Sequence, residues 1–244
     1  MKDQLNQKIL HLLDLKPIQN YDILDFGCGS GELLGTIHDV LSEGSKLIGI
    51  DSSEKVIEEA KNRYPFIDFH HKKFIDDLNF PDASFDIVIS VDTIECIPNK
   101  STLLSEINRV LKKDGKVLAV HWDWDTQVYY SEHKGIIRKF VAEFSDWQQD
   151  WMEASDGQMG RKLWGLFQDS GLFKGHIKIF SLIETEYGPG KYGYDRLHDL
   201  AGFVNQGRLD SSAYKMILDE MQTLNEKGKY FYSLNSYIYI GRKA

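Results

Sequence analysis

Asp22-Ile-Leu-Asp-Phe-Gly-Cys-Gly-Ser-Gly-Glu-Leu-Leu34 is the stretch that decides the fold. Ile23, Leu24 and Phe26 make a short apolar run that halts at glycines, the pattern of a strand buried on both faces. Gly27, Gly29 and Gly31 free the backbone for a sharp turn and leave room for a ligand to approach. Leu33, Leu34, Ile37 and Leu41 follow at helical spacing, so the loop opens onto a helix N-terminus. A second apolar run, Lys46-Leu-Ile-Gly-Ile-Asp51, ends in a carboxylate able to accept both hydroxyls of a ribose. The pattern is that of a nucleoside-binding strand–helix–strand unit.

Which nucleoside it suits depends on detail. A dinucleotide loop takes G-x-G-x-x-G, but here Glu32 stands where the last glycine belongs, and a glutamate there repels a pyrophosphate. Asp25 adds an acid two residues before the first glycine. This arrangement resembles the first motif, D-x-G-x-G-x-G, of the class I S-adenosylmethionine-dependent methyltransferases. In that family the loop faces a zwitterionic amino acid rather than phosphates. The resemblance implies S-adenosylmethionine as cofactor, with Asp25, Gly27, Cys28, Gly29, Gly31, Asp51 and Ser52 in contact with it.

The resemblance continues in order to His121. Phe66-Ile-Asp-Phe69 reads as a third strand, and residues 70–86 resemble the family's G-D-A-E-D-L-P-F-P-D-x-S-F-D loop. Aligned on Leu78, Phe80, Pro81 and Asp82, the acid that meets the adenine amino group becomes Phe74. Either Phe74 stacks on the adenine, beside Ile75, or Asp76 reaches it. Phe85–Val91 is a fourth buried strand, and Asp92-Thr-Ile-Glu-Cys-Ile97 resembles the family's strand-end L-E-H-V stretch. Open α/β sheets bind ligands beyond the carboxyl ends of their strands, which places Val91 and Asp92 at the methionine end of the cofactor. Asn108-Arg-Val-Leu-Lys-Lys-Asp-Gly115 resembles the R-V-L-K-P-G-G turn leading into strand five, Lys116–His121. The fold implied is α/β and Rossmann-like: seven strands, mostly parallel, with helices on both faces and a helical cap insertion before the last strand.

The remaining chain is where such enzymes differ. Two helical stretches, 132–144 and 157–170, precede a strand at 176–186. Gly188-Pro-Gly190 is a turn that opens a segment with helical patterns at 194–204 and 211–225. Residues 230–241 alternate as a final antiparallel strand. The expected organisation is a core over 1–186 with cap helices around 122–156, a helical lid at 187–228, and the last strand of the core at 229–244. Trp122, Trp124, Tyr129, Tyr130, Trp147 and Trp151 form either an aromatic cage for a cationic or planar substrate or ordinary packing. Interleaved Asp123, Asp125, Asp146 and Asp150 tilt the cage reading towards an amine. Trp122, Trp124, Tyr129, Tyr130 and His133 are the candidate substrate contacts.

Bulk properties narrow the class. The chain has 244 residues, 42% of them hydrophobic, which fits one large domain or a domain with a modest cap. A net charge of −8 disfavours a nucleic-acid substrate. No apolar run approaches the roughly eighteen residues of a membrane span, and no leader pattern opens the chain. Cys28 and Cys96 have no metal-ligand spacing and suit a reduced, cytoplasmic setting. His70 and His71 lack a third ligand nearby in sequence, so no metal is expected.

The expected function is methyl transfer to an N or O atom of a small molecule. Two rivals are a cofactor-binding partner or sensor without transferase activity, and a nicotinamide oxidoreductase, against which Glu32 speaks. Alignment of nucleophile and donor carries most of such a reaction, and a base is needed only where the nucleophile must lose a proton. His121, with Asp92, is the candidate catalytic group, either as that base or as a substrate-holding side chain.

Overall fold

The computed structural model describes residues 2–41, 43–73, 77–149, 152 and 154–244. In chain order the elements are α1 (Lys2–Leu13), β1 (Asp22–Phe26), α2 (Glu32–His38), β2 (Lys46–Asp51), α3 (Glu54–Arg63), β3 (Asp68–His71) and β4 (Phe85–Val91). A short 3₁₀ turn, Ile94–Cys96, follows, then α4 (Lys100–Val110), β5 (Leu111–Tyr129), α5 (Lys134–Ser145), α6 (Met159–Ser170) and β6 (Phe173–Glu184). The chain closes with α7 (Tyr192–Asp199), α8 (Ala201–Asn205), α9 (Ser211–Glu226) and β7 (Tyr232–Lys243).

The strands form one seven-stranded sheet in the order β3-β2-β1-β4-β5-β7-β6. β1 pairs in parallel with both β2 and β4, and β4 with β5. β7 runs the other way. Tyr130 N–H donates to the Phe231 carbonyl near one end of β5, and Arg242 reaches the Asp114 carbonyl at the other, so numbers rise on one strand as they fall on its neighbour. The winding reverses between β1 and β4, and ligands of open α/β sheets bind at such a switch point, beyond the strands' carboxyl ends. The glycine loop follows β1 and Asp92 follows β4, so both stand there.

Side-chain chemistry explains the elements. Ile23, Leu24, Val88 and Ile89 are fully buried, each contributing about 1.5–3 kcal/mol by leaving water. Ser53 caps α3 by accepting from Val56 N–H, and Asn99 caps α4 by accepting from Thr102 N–H. Lys112 joins Asp22 and Asp86 at 2.5 and 2.9 Å, tying together the starts of β1 and β4. Arg109 reaches Glu106, Asp77 and Asp82 and the Phe80 carbonyl, holding the 77–82 loop to α4. The Arg109 hydrogen bond keeps the Glu106 carboxyl down at about 2.

Several sequence-based boundaries shift. β3 begins at Asp68 rather than Phe66, because pairing with β2 starts at Ile48↔Asp68 and Phe66 is exposed, lying against the His38 ring. The single helix expected at 194–204 is broken into α7 and α8 at Leu200. The largest correction concerns strand five. It does not end at His121 but continues to Tyr129, its inward and outward residues still alternating beyond Trp124: Gln127 and Tyr129 are buried, Val128 and Tyr130 exposed.

The chain divides into two compact units. The first comprises Met1–His121, Arg161–Phe180 and Tyr237–Ala244; the second comprises Trp122–Gly160 and Ser181–Ser236. The first carries the glycine loop and the ends of β1, β2 and β4. The second carries α5, α7, α8 and α9 and a chain of ring contacts, Trp122–Trp124–Phe144–Trp147–Phe203, with centroids 5.2–6.2 Å apart.

Candidate active site

The glycine loop is built by three left-handed glycines. Gly27, Gly29 and Gly31 have φ of +79°, +53° and +77°, a region that L side chains adopt only with strain. Gly27 and Cys28 donate their amides to the Ile50 carbonyl at 2.8 and 3.0 Å, which pins the loop to the end of β2. A Cβ on Gly27 would strike the Thr93 side chain, and one on Gly31 would strike the Phe69 ring. A Cβ on Gly29 would meet nothing within 4 Å, so this glycine borders open space. Glu32 does not point its charge at an empty loop, because Arg63 pairs with it at 2.9 Å.

Asp51 is oriented by the loop itself. One carboxylate oxygen accepts from Gly29 N–H at 3.0 Å and the other from Ser53 N–H at 2.9 Å. Each oxygen retains a further lone pair for a ligand hydroxyl. Ser52 is exposed, and its carbonyl meets the His71 ring at 3.0 Å.

Asp25 is 2% exposed, and its Oδ1 finds no hydrogen-bond partner among the described residues. Burial, with the charge of Asp51 adding to it, pushes its pKa up to about 7 from an ordinary 3.8. The unfolded chain therefore gives up this proton at lower pH than the folded one. Stability falls as pH rises from about 4 to about 7 and is level above that window. Melting temperatures of wild type and Asp25→Asn at pH 4.5 and 7.5 test this: the wild type should lose ground to the mutant at the higher pH. Parallel behaviour of the two would show that Asp25 is already charged in the fold.

At the end of β4 the backbone turns at Asp92, which has φ +56°. Its amide donates to the Val120 carbonyl at 2.8 Å, setting it beside β5. Asp92 Oδ1 lies 3.3 Å from Nδ1 of His121, which is fully buried. Glu95, buried on the following 3₁₀ turn, completes a set whose donor atoms all lie within 4.8 Å of one another. Such a set can orient an imidazole, share a proton or hold a cation. Glu95 was missed by sequence reasoning; its place three residues after Asp92 was the available signal. Burial and the charges of Glu95 and Asp92 push the Cys96 thiol up to about 12, and burial raises that of Cys28, so both favour the protonated thiol.

The cofactor-side candidates Asp25, Gly27, Cys28, Gly29, Gly31, Asp51, Ser52 and Val91 and the catalytic candidates Asp92 and His121 all belong to the first unit. Phe74, Ile75 and Asp76 lie outside the described residues, as do Asp150 and Trp151. A cavity is lined by Ile50, Lys72, Lys73, Asp77, Leu78 and Asn79. The substrate candidates belong to the second unit but do not form one cluster. Trp122 and Trp124 lie together, whereas Tyr129 packs on Tyr232 with centroids 4.7 Å apart. Tyr130 is half exposed and His133 is exposed at the start of α5.

Strand order, glycine loop and a ribose-ready carboxylate define the fold of the class I S-adenosylmethionine-dependent methyltransferases, whose cofactor is S-adenosylmethionine. A family profile described as a methyltransferase domain matches residues 18–181, more than half of the chain, and the chain belongs to this family. It is 26% identical over 174 residues to a demethylmenaquinone methyltransferase of Oceanobacillus iheyensis, covering 65% of this chain and 72% of that one. It is 35% identical over 97 residues to a probable S-adenosylmethionine-dependent methyltransferase of Mycolicibacterium smegmatis, covering 40% of this chain and 36% of that one. The match spans 46% of the length of a Streptomyces fradiae relative and 38% of an iridescent-virus relative, less than half of either. Among solved structures, the YcgJ protein of Bacillus subtilis superposes with a TM-score of 0.62 at 18% identity, covering 99% of this chain and 98% of that one. Among the described residues no helix is long and apolar enough to cross a membrane.

Proposed function

We propose that this chain transfers a methyl group from S-adenosylmethionine to an N or O atom of a small molecule. The observation that carries the reading is the Asp51 carboxylate, fixed by two loop amides beside the open face of Gly29. Asp51 would hold the ribose hydroxyls, and Asp25, buried with an unmatched oxygen, would meet the positively charged amino-acid end. Bound there, S-adenosylmethionine supplies a methyl group already activated on a sulfonium. The protein's own work is then to position the acceptor and, where the acceptor must lose a proton, to take it. In this reading His121 meets the acceptor, and Asp92, at its Nδ1, holds the ring in one orientation. The net charge of −8 suits a small-molecule acceptor better than a nucleic acid.

Purified protein incubated with labelled S-adenosylmethionine and fractionated metabolite pools should yield a labelled product of low mass. Binding without any labelled product would instead make this a cofactor-binding partner or sensor. For the cofactor site, Asp51→Ala should weaken S-adenosylmethionine by roughly ten- to a hundredfold, because a charged acceptor of about 1.5–3 kcal/mol is lost. Calorimetry on a folded Asp51→Ala protein that returned the wild-type affinity would remove Asp51 from the site.

A further inference from the structure

The aromatic cluster of the second unit already contains a cation. The Arg196 guanidinium carbon, on α7, lies 5.8 Å from the Trp124 ring centre, 5.5 Å from Phe144 and 5.6 Å from Tyr192. Trp122 adds a second layer, with its ring 5.3 Å from Tyr192 and 6.2 Å from Trp124. Arg196 Nε is buried and makes no hydrogen bond, but stands 2.9 Å from the Asp199 carboxylate, one turn along the same helix, as an ion pair. Among the described residues its two terminal nitrogens have no acceptor, and the side chain is 26% exposed.

Other charges nearby do not use it. Glu184 accepts from the amides of Tyr192 and Gly193 at 3.0 and 2.9 Å, so both its oxygens are engaged in holding the start of α7. The buried hydroxyls of Tyr129 and Tyr232 feel the Arg196 charge, but each donates elsewhere, to the Gly193 carbonyl and to Gln127. A guanidinium bordered by three rings and ion-paired on its Nε side keeps its terminal fork for a further partner. That fork matches two oxygens of a carboxylate or phosphate. The surrounding rings lower the local polarity, which strengthens such a pair and offers apolar surface to the rest of the ligand. A cationic ligand would meet repulsion in the same place.

We propose that Arg196 is an anion-binding residue, and that the ligand of this cluster is a small molecule carrying a carboxylate or phosphate on an apolar body. The proposal concerns the second unit alone and stands independently of the proposed methyl transfer. The reading replaces the amine to which the aspartates between the tryptophans pointed.

Tryptophan fluorescence of the 244-residue chain, titrated with benzoate, phenyl phosphate, inorganic phosphate and benzylamine, tests it. Benzoate or phenyl phosphate should bind saturably, inorganic phosphate at least tenfold more weakly than phenyl phosphate, and benzylamine not at all. Arg196→Met should weaken the aromatic anions roughly ten- to a hundredfold. Arg196→Lys, which keeps the charge without the fork, should fall between the two and decides the matter if the methionine variant does not fold. Binding of benzylamine as tight as benzoate, or unchanged benzoate affinity in Arg196→Lys and in a folded Arg196→Met, would overturn the proposal. Inorganic phosphate binding as tightly as phenyl phosphate would overturn the apolar body assigned to the ligand. Should the anions bind as expected while no labelled product forms from any metabolite pool, the transferase reading falls and the anion site stands.

Discussion

Gly29→Val is expected to abolish S-adenosylmethionine binding in a protein that still folds. Two effects coincide at this position. At φ +53° a β-branched residue is strained, at about 1–2 kcal/mol, which lowers the melting temperature modestly. The added side chain would also occupy the open space beside the Asp51 carboxylate, which the proposed cofactor would need. Gly29→Asn separates the two effects, because asparagine tolerates left-handed backbone far better while still filling the space. Both variants should show no heat of binding in calorimetry at ligand concentrations a hundredfold above the wild-type dissociation constant. Normal binding by Gly29→Asn would place the cofactor elsewhere. If wild-type protein bound NADH and not S-adenosylmethionine, the loop would belong to an oxidoreductase despite Glu32.

His121→Asn is expected to lower turnover by roughly a hundredfold or more if the imidazole removes a proton, the usual scale for a positioned base, with S-adenosylmethionine affinity unchanged. Asparagine keeps a polar group near Asp92 and removes the titrating ring, so the two candidate roles give different kinetics. A base leaves a pH-dependent limb in the wild-type rate that the mutant lacks, and kcat falls. A substrate-holding ring raises KM with kcat and the pH profile nearly unmoved. Asp92→Asn should follow the same pattern at smaller magnitude, since it acts through the ring it faces at 3.3 Å. Full activity in a folded His121→Asn protein would exclude both roles.

The cofactor half of this molecule is legible because its signals are local. Ile23, Leu24 and Phe26 stopping at Gly27, and the apolar run stopping at Asp51, each depend on a few adjacent residues, and the crossover rule for parallel strands leaves little freedom in joining them. The second half is less legible because its determinants lie far apart in the chain. Trp122, Trp124, Tyr129 and Tyr130 read as one aromatic group when they are close in number. On a continuing strand, however, Tyr129 and Tyr130 must face opposite sides, and they do: one is buried and the other half exposed. The family resemblance runs only to His121, and the aromatic residues beyond it, in a stretch expected to begin the cap helices, hide the alternation that carries the strand on to Tyr129. Arg196 gave no local signal at all. A single arginine on an amphipathic helix is unremarkable until Trp124 and Phe144, more than fifty positions upstream, are found beside it.

The chain passes between its two compact units four times, and every passage lies inside a regular element: within β5 at His121–Trp122, within α6 at Gly160–Arg161, within β6 at Phe180–Ser181 and within β7 at Ser236–Tyr237. Peptide linkers are what make a domain portable, because they can be cut or spliced without breaking backbone hydrogen bonds. None of the four passages offers one. The second unit is therefore not a cassette that can be excised, expressed alone or exchanged with that of a relative at a loop junction. A chimera would have to join two proteins in mid-strand three times and in mid-helix once, with register kept at each join, since a slip of one residue on a strand turns every side chain beyond it to the opposite face. Altering the second unit is accordingly a matter of replacing side chains in place.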